Sequence, residues 1–242
     1  QRQSRRLEDG MVGGSFHCYR GRKSFFNSHA EAKSGIVMSK RFVSIWFRHL
    51  LTDWLALRRP ALQNMPFVFA RSDHGRKVIT AASSAAEIQG IAVNMPVADA
   101  KIIIPGLQVF DDQPGRETKL LNALGKWAIR YTPVVAIDLP DGLLLDVSGC
   151  PQLWGGEKAY LKEMVTKLRA AGYDVRAAMA DSIGTAWAVS RFCTVSPIIE
   201  SGRQAAALML LPPAALRLEP ETLVRLHKLG FHEIHSLFNM PG

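Results

Sequence analysis

The chain is short of cysteine, of acidic charge and of long apolar runs, and each shortage removes a class of function. Its three cysteines, Cys18, Cys150 and Cys193, share no C-x-x-C spacing. That leaves neither a zinc-ligand motif nor a disulfide framework, and it fits a reducing cytoplasm. No apolar run reaches the ~18–20 residues needed to span a bilayer, so no membrane partner is expected. The first residues also lack the apolar core of a secretory signal. Acidic residues are outnumbered by Lys and Arg, 21 against 30, giving a formal net charge of +9 over 242 residues. Residues 1–37 carry +4 of that excess, so 38–242 is only mildly basic, at +5. Such a balance suits a nucleic-acid partner and suits a merely solubilising surface equally well.

With 48% hydrophobic and 21% charged residues, the chain can bury one large core or two modest ones. Residues 1–37 hold no sustained period and are rich in Gly, Ser and basic side chains. They are expected to be disordered, or a non-native extension, because Met38 opens "MSKRFVSIWF" like a start.

From Arg41 the patterning is strong. "RFVSIWF" is β-branched and aromatic, as a buried strand is, while "HLLTDWLALRRP" has helical spacing stopped by Pro60. Two short strands, "PFVFA" and "KVITAA", flank the turn-like "RSDHGR". A short helix ending at Gly90, a second opened by Pro96 and another strand follow. Residues 116–131 read as an amphipathic helix. "PVVAID" and "GLLLDVSG" read as a hairpin with Asp-Gly turn chemistry at "LPDG". Then come a helix closed by Gly172, the strand "YDVRAAMA", a helix capped by Asp181 or Ser182, and three short helical pieces from 204 to 229. Without the segment inserted after the first strand, the order is β-α-β-β-α-β, the ferredoxin-like split βαβ arrangement. Both helices of such a sheet pack on one face, and the other face is expected to be free for a substrate.

Four phrases in register carry a family resemblance: "SIWFRHLLTDWL", "AAEIQGIAVNMPVADAKIIIPGLQV", "VAIDLPDGLLLDVSGCPQLWGGE" and "ADSIGTAWAVSRF". Over roughly 38–242 the chain resembles the Y-family (translesion) DNA polymerases, and within them a polymerase-like accessory branch serving bacterial SOS mutagenesis. The resemblance implies an α+β fold with a palm over 38–52 and 112–200. It further implies small α/β fingers over 53–111 and the start of a helical thumb over 201–242, with a little finger expected beyond Gly242.

The resemblance also locates a catalytic site to test. Working members hold two Mg²⁺ ions on carboxylates at the end of the first strand and at the palm hairpin. The first-strand positions fall here on Trp46 and Arg48, and Arg48 is expected to place a fixed positive charge where the metals belong. At the hairpin Asp141, or alternatively Asp138, matches the family aspartate, and the glutamate position falls on Gly142. These two are vestigial metal-ligand candidates, and turn chemistry alone would also explain them. The triphosphate-contact positions fall on Ser84, Glu87 and Ile183, which replaces a cation with a carboxylate.

What the resemblance implies is therefore a noncatalytic, DNA-binding adaptor with no cofactor, located in the bacterial cytoplasm at the nucleoid. Its partners would be DNA, an error-prone replicative-type DNA polymerase, a RecA-like accessory protein, and the sliding clamp through a region outside this chain. In the thumb-like stretch, Arg225 and Lys228 with the turn at Gly230 are candidates for phosphate contacts, the turn offering backbone amides. The alternative is an active translesion polymerase with a rearranged Mg²⁺ site built from Asp138, Asp141 and Asp146. A third reading is an interaction module that touches no DNA.

Overall fold

The computed structural model describes residues 40–193 and 196–238, so the extension expected over 1–37 lies outside the described residues. From strand β1 (Phe42–Phe47) the chain runs through helix α1 (Leu50–Arg58), strands β2 (Phe67–Asp73) and β3 (Arg76–Ala82), helices α2 (Ser84–Ile88) and α3 (Val97–Ile103), and strand β4 (Gln108–Asp111). Helix α4 (Arg116–Ala128), the hairpin β5 (Val134–Asp138) and β6 (Gly142–Asp146), helix α5 (Glu157–Ala170), strand β7 (Val175–Ala180) and helix α6 (Ile183–Phe192) come next. Helices α7 (Gln204–Met209), α8 (Pro220–Lys228) and α9 (His235–Phe238) follow, with a 3-10 turn at Pro213–Leu216.

The pleat of β1 sorts its side chains. Val43, Ile45 and Phe47 are fully buried in one core with Leu121 and Leu124 of α4 and Leu161, Met164 and Leu168 of α5. Ser44 and Trp46 project to the opposite face. The sheet order is β5-β6-β1-β7, antiparallel at every pairing, which is the ferredoxin-like palm.

The second face of this sheet, expected from the sequence to be free for a substrate, is covered. Helix α6 lies across β1 and β7 there, and the close approach follows from small residues. Ala178, Ala180 and Ala186 are fully buried together, and Ser44 Oγ lies 3.1 Å from Ser190 Oγ. Ser182 caps α6 by accepting from the Thr185 N–H. Asp181, the other cap candidate, instead receives Arg41 Nη1 at 2.7 Å, Gln204 Nε2 at 2.6 Å and the Ser201 hydroxyl. Burial would raise its pKa, but these donors outweigh burial and hold it below the usual carboxylate range.

The inserted segment makes its own sheet, ordered β3-β2-β4, with a core of Val68, Ile79, Ala86, Ile91, Val97 and Ala100. The β2–β3 connection is tighter than "RSDHGR" suggested. The strands pair as far as Asp73 and Arg76, and His74 and Gly75 close a two-residue turn with φ of 45° and 80°. At the palm hairpin the Asp-Gly turn is not formed. Gly142 is a strand residue opposite Trp46 without a left-handed φ, and Leu139, Pro140 and Asp141 make the connection. The expected palm–fingers boundary between residues 52 and 53 falls inside α1. Leu50 belongs to the palm core, whereas Leu51 and Leu55 pack on Phe67 and Phe69 of β2, so one helix serves both sheets.

Candidate functional site at the palm hairpin

The register of β1 places Trp46 between Gly142 on β6 and Arg176 on β7, on the face crossed by α6. The Trp46 indole Nε1 donates to Asp141 Oδ2 at 2.9 Å. From the last turn of α6, Arg191 Nη2 donates to Asp141 Oδ1 at 2.9 Å and to Asp138 Oδ2 at 3.3 Å. Arg217, just past the Pro213–Leu216 turn, brings its Nη2 to 2.7 and 2.8 Å from the two oxygens of Asp138. Every oxygen of both carboxylates therefore accepts a hydrogen bond.

The cations are held as firmly as the anions. The Arg191 guanidinium lies 4.4 Å from the Trp187 ring centre and 5.7 Å from that of Trp46, and Arg217 lies 4.1 Å from Trp187. The Arg191 side chain is 9% exposed and that of Asp138 12%. Burial lowers the pKa of Arg191, opposed by Asp141 and Asp138, and a guanidinium so paired stays charged. Its Nη1 is buried without a hydrogen-bond acceptor; the indole faces are its electrostatic partners. Gly142 is part of the same fit. A Cβ there would stand 3.0 Å from Arg191 Nη2 and 3.0 Å from Asp138 Oδ2, so the glycine leaves the space that the ion pair fills.

Two divalent ions would need open carboxylate oxygens on several acidic side chains. The residues present do not fit that requirement. Asp138 and Asp141 both give each of their oxygens to an arginine or indole donor, and a cation stands between them. Among the described residues no three His, Cys, Asp or Glu side chains are grouped to hold a metal ion.

The residues singled out from sequence are only partly brought together. Trp46, Gly142, Asp138 and Asp141 meet at the hairpin. Arg48 does not supply the charge there. It lies beyond the end of β1, where its N–H donates to Asp174 O at 3.1 Å, and its guanidinium pairs with the Asp174 carboxylate at 3.3 Å on the β7 side. The cation at the carboxylates is Arg191. Asp146 is also misplaced by the three-aspartate alternative: it pairs opposite Phe42, four residues along β6 from Gly142, or roughly 13 Å at the rise of a strand. Its Oδ1 accepts from Ser148 N and Oγ. Ser84 is exposed in the first turn of α2 and Ile183 opens α6. Arg225 and Lys228 are exposed in the last turn of α8. The amides expected to face a phosphate are already used: Leu229, Gly230 and Phe231 N–H donate to Arg225, His227 and Leu226 carbonyls, closing the helix end.

A second cluster lies at the other end of the β1–α1 junction. Buried His49 has its Nε2 3.7 Å from Glu87 Oε2 and 3.6 Å from Asp174 Oδ2. Asp53 Oδ2 accepts the Asp174 N–H at 2.8 Å, and burial raises the Asp53 pKa from 3.8 to about 6. Sequence reasoning missed Arg191, Trp187, Arg217, Asp53 and Asp174. Arg191 and Trp187 lay within the phrase "AWAVSRF", and the only signal was a cation and an indole one helical turn apart.

A family model described as IMS, impB/mucB/samB family, matches residues 45–191. The Protein ImuB of Caulobacter vibrioides strains NA1000 / CB15N and ATCC 19089 / CIP 103742 / CB 15 is 41% identical over 152 residues. The match covers 63% of this chain and 33% of each relative, so the aligned part spans a third of their length. Among solved structures, DinB from Sulfolobus solfataricus shares the fold with a TM-score of 0.66 at 14% identity, over 83% of this chain and 60% of that one. An insertion ternary complex of Dbh DNA polymerase gives a TM-score of 0.66 at 14% identity, over 83% and 61%.

Proposed function

The chain belongs to the impB/mucB/samB family, and from that premise we propose that it is a noncatalytic, DNA-binding adaptor in DNA damage tolerance. The observation that carries this reading is Arg191 seated between Asp138 and Asp141, 3.3 and 2.9 Å from their oxygens respectively. A polymerase of this fold needs cations there that can be exchanged and that can bind a triphosphate; a guanidinium tethered to the chain and paired with both carboxylates does neither. The cluster at the start of α1 supports the same reading. Glu87 and Asp174 face His49 where a triphosphate would need cations.

Loss of the chemistry leaves DNA binding intact in principle, because affinity for a duplex comes from distributed Lys, Arg and N–H contacts to phosphates. Exposed Arg225 and Lys228 on α8 are the side chains assigned to that role. As the resemblance implies, the adaptor would recruit an error-prone replicative-type polymerase and a RecA-like accessory protein, and reach the sliding clamp through a region outside this chain. No helix among the described residues is long and apolar enough to cross a membrane.

Primer extension tests the noncatalytic part. With a primer–template, all four dNTPs and Mg²⁺ or Mn²⁺, the expected outcome is no added nucleotide. Incorporation that is abolished by Asp141→Asn would sink the reading.

A further inference from the structure

We infer that Arg217 is a DNA-phosphate ligand held in reserve by Asp138, the carboxylate standing in for the phosphate until DNA arrives. The inference rests on the DNA-binding reading above. Its starting point is an asymmetry between the two arginines on the palm hairpin. The Arg191 side chain is closed between two indoles at 9% exposure, whereas that of Arg217 is 44% exposed. Only Arg217 is open to a ligand from solution.

Arg217 sits in the left-handed region at φ 56°, where a side chain is tolerated at some cost. That backbone turns its guanidinium back onto Asp138, at 2.7 and 2.8 Å, and over Trp187. A guanidinium bonds carboxylate and phosphate oxygens in the same planar manner, so the two anions compete for one site.

The exchange strands no charge. Asp138 would keep Arg191 Nη2 at 3.3 Å, and Arg217 would keep its stack on Trp187, which does not depend on Asp138. Nor does it require the surrounding segment to move. Leu211, Ala215 and Ile234 are buried with Ala188 of α6, and the Ile234 N–H donates to Leu211 O, so the segment stays seated whichever anion Arg217 holds. Helix α8, which carries exposed Arg225 and Lys228, packs against the Pro213–Leu216 turn that leads into Arg217, so the three cations belong to one segment.

The test is DNA affinity by fluorescence anisotropy on a labelled primer–template, measured across a salt series with the full chain. Arg217→Gln is expected to reduce the slope of log K against log salt by about 0.9, the value for one phosphate. Arg217→Lys, which keeps the charge, should restore it. Asp138→Asn removes the competitor, so it should bind several-fold tighter than wild type with the slope retained, and the double variant should behave as Arg217→Gln. A steep wild-type slope that Arg217→Gln leaves unchanged, with Asp138→Asn binding no tighter than wild type, would overturn the proposal and leave the DNA-binding reading standing. A flat wild-type plot would overturn both. Because the Arg217 variants change a half-exposed side chain, they decide the matter even if Asp138→Asn fails to fold.

Discussion

The two clusters at the palm hairpin and at the start of α1 differ in electrostatic character. At the hairpin, where a metal-dependent polymerase needs uncompensated carboxylates, Arg191 and Arg217 neutralise Asp138 and Asp141. At the start of α1, Glu87 and Asp174 face buried His49, Asp174 also pairs with exposed Arg48, and Asp53 accepts the Asp174 N–H. The hairpin end is a packed ion-pair cluster whose carboxylates have their own counter-ions. The α1 end is rich in carboxylates, one of which, Asp53, is buried and costly to ionise. The first end should thus hold the structure together at neutral pH, and the second should weaken it.

That contrast can be broken most severely at Arg191. Arg191→Ala should cost about 3–5 kcal/mol in urea unfolding, because it leaves two carboxylates under-compensated and the Trp46–Trp187 gap empty. The triple variant Arg191→Met, Asp138→Asn, Asp141→Asn should recover most of that loss, separating stranded charge from lost packing. Gly142→Glu, which adds a carboxylate at the hairpin, should destabilise by about 1–3 kcal/mol, since its Cβ has no room beside Arg191 and Asp138. Calorimetric titration with Mn²⁺ should show no binding gained by that variant.

The acidic end predicts the opposite sign. A carboxyl whose folded pKa is raised binds a proton in the folded state that it lacks unfolded. Stability therefore falls as pH rises from the ordinary value of 3.8 through about 6. Asp53→Asn keeps an acceptor for the Asp174 N–H and should stabilise by about 1–2 kcal/mol at pH 8, with the gain vanishing near pH 4; thermal melts at the two pH values check it. The smallest effect is expected at Arg48. Its pair with Asp174 is exposed on both sides, so Arg48→Ala should change stability by less than about 0.5 kcal/mol. A loss comparable to that of Arg191→Ala would mean that Arg48 is as essential a cation as Arg191 and would erase the contrast.

Much of the fold was legible because its signals are local. The run at β1, the Pro60 stop, the glycine-closed helices and the β-α-β-β-α-β order all follow from period and punctuation within a few residues. The covering of the second sheet face by α6 was not legible. Ser44, Ala178, Ala180 and Ala186 have no polar or apolar bias strong enough to announce a partner, and their smallness acquires meaning only when a helix lies against them. The hairpin turn was misread for a related reason: "LPDG" has Asp-Gly chemistry, but pairing with β1 claims Gly142 for the strand.

By itself the sequence determined which side chains offer no metal ligand: those of Trp46 and Arg48 at the end of the first strand have no oxygen to give Mg²⁺, and Gly142 at the hairpin has no side chain. Only the tertiary structure decided what stands between the hairpin carboxylates. Arg191 is 53 residues from Asp138 along the chain and Arg217 is 79. No local period relates residues so far apart; their meeting depends on the packing of α6 across the sheet and on the seating of the following turn upon Trp187. Arg48 was nearer in sequence to the expected position, yet its guanidinium, 5.8 Å from the Trp46 ring centre, pairs with the Asp174 carboxylate and not with Asp138 or Asp141, because the backbone past β1 is hydrogen-bonded to Asp174.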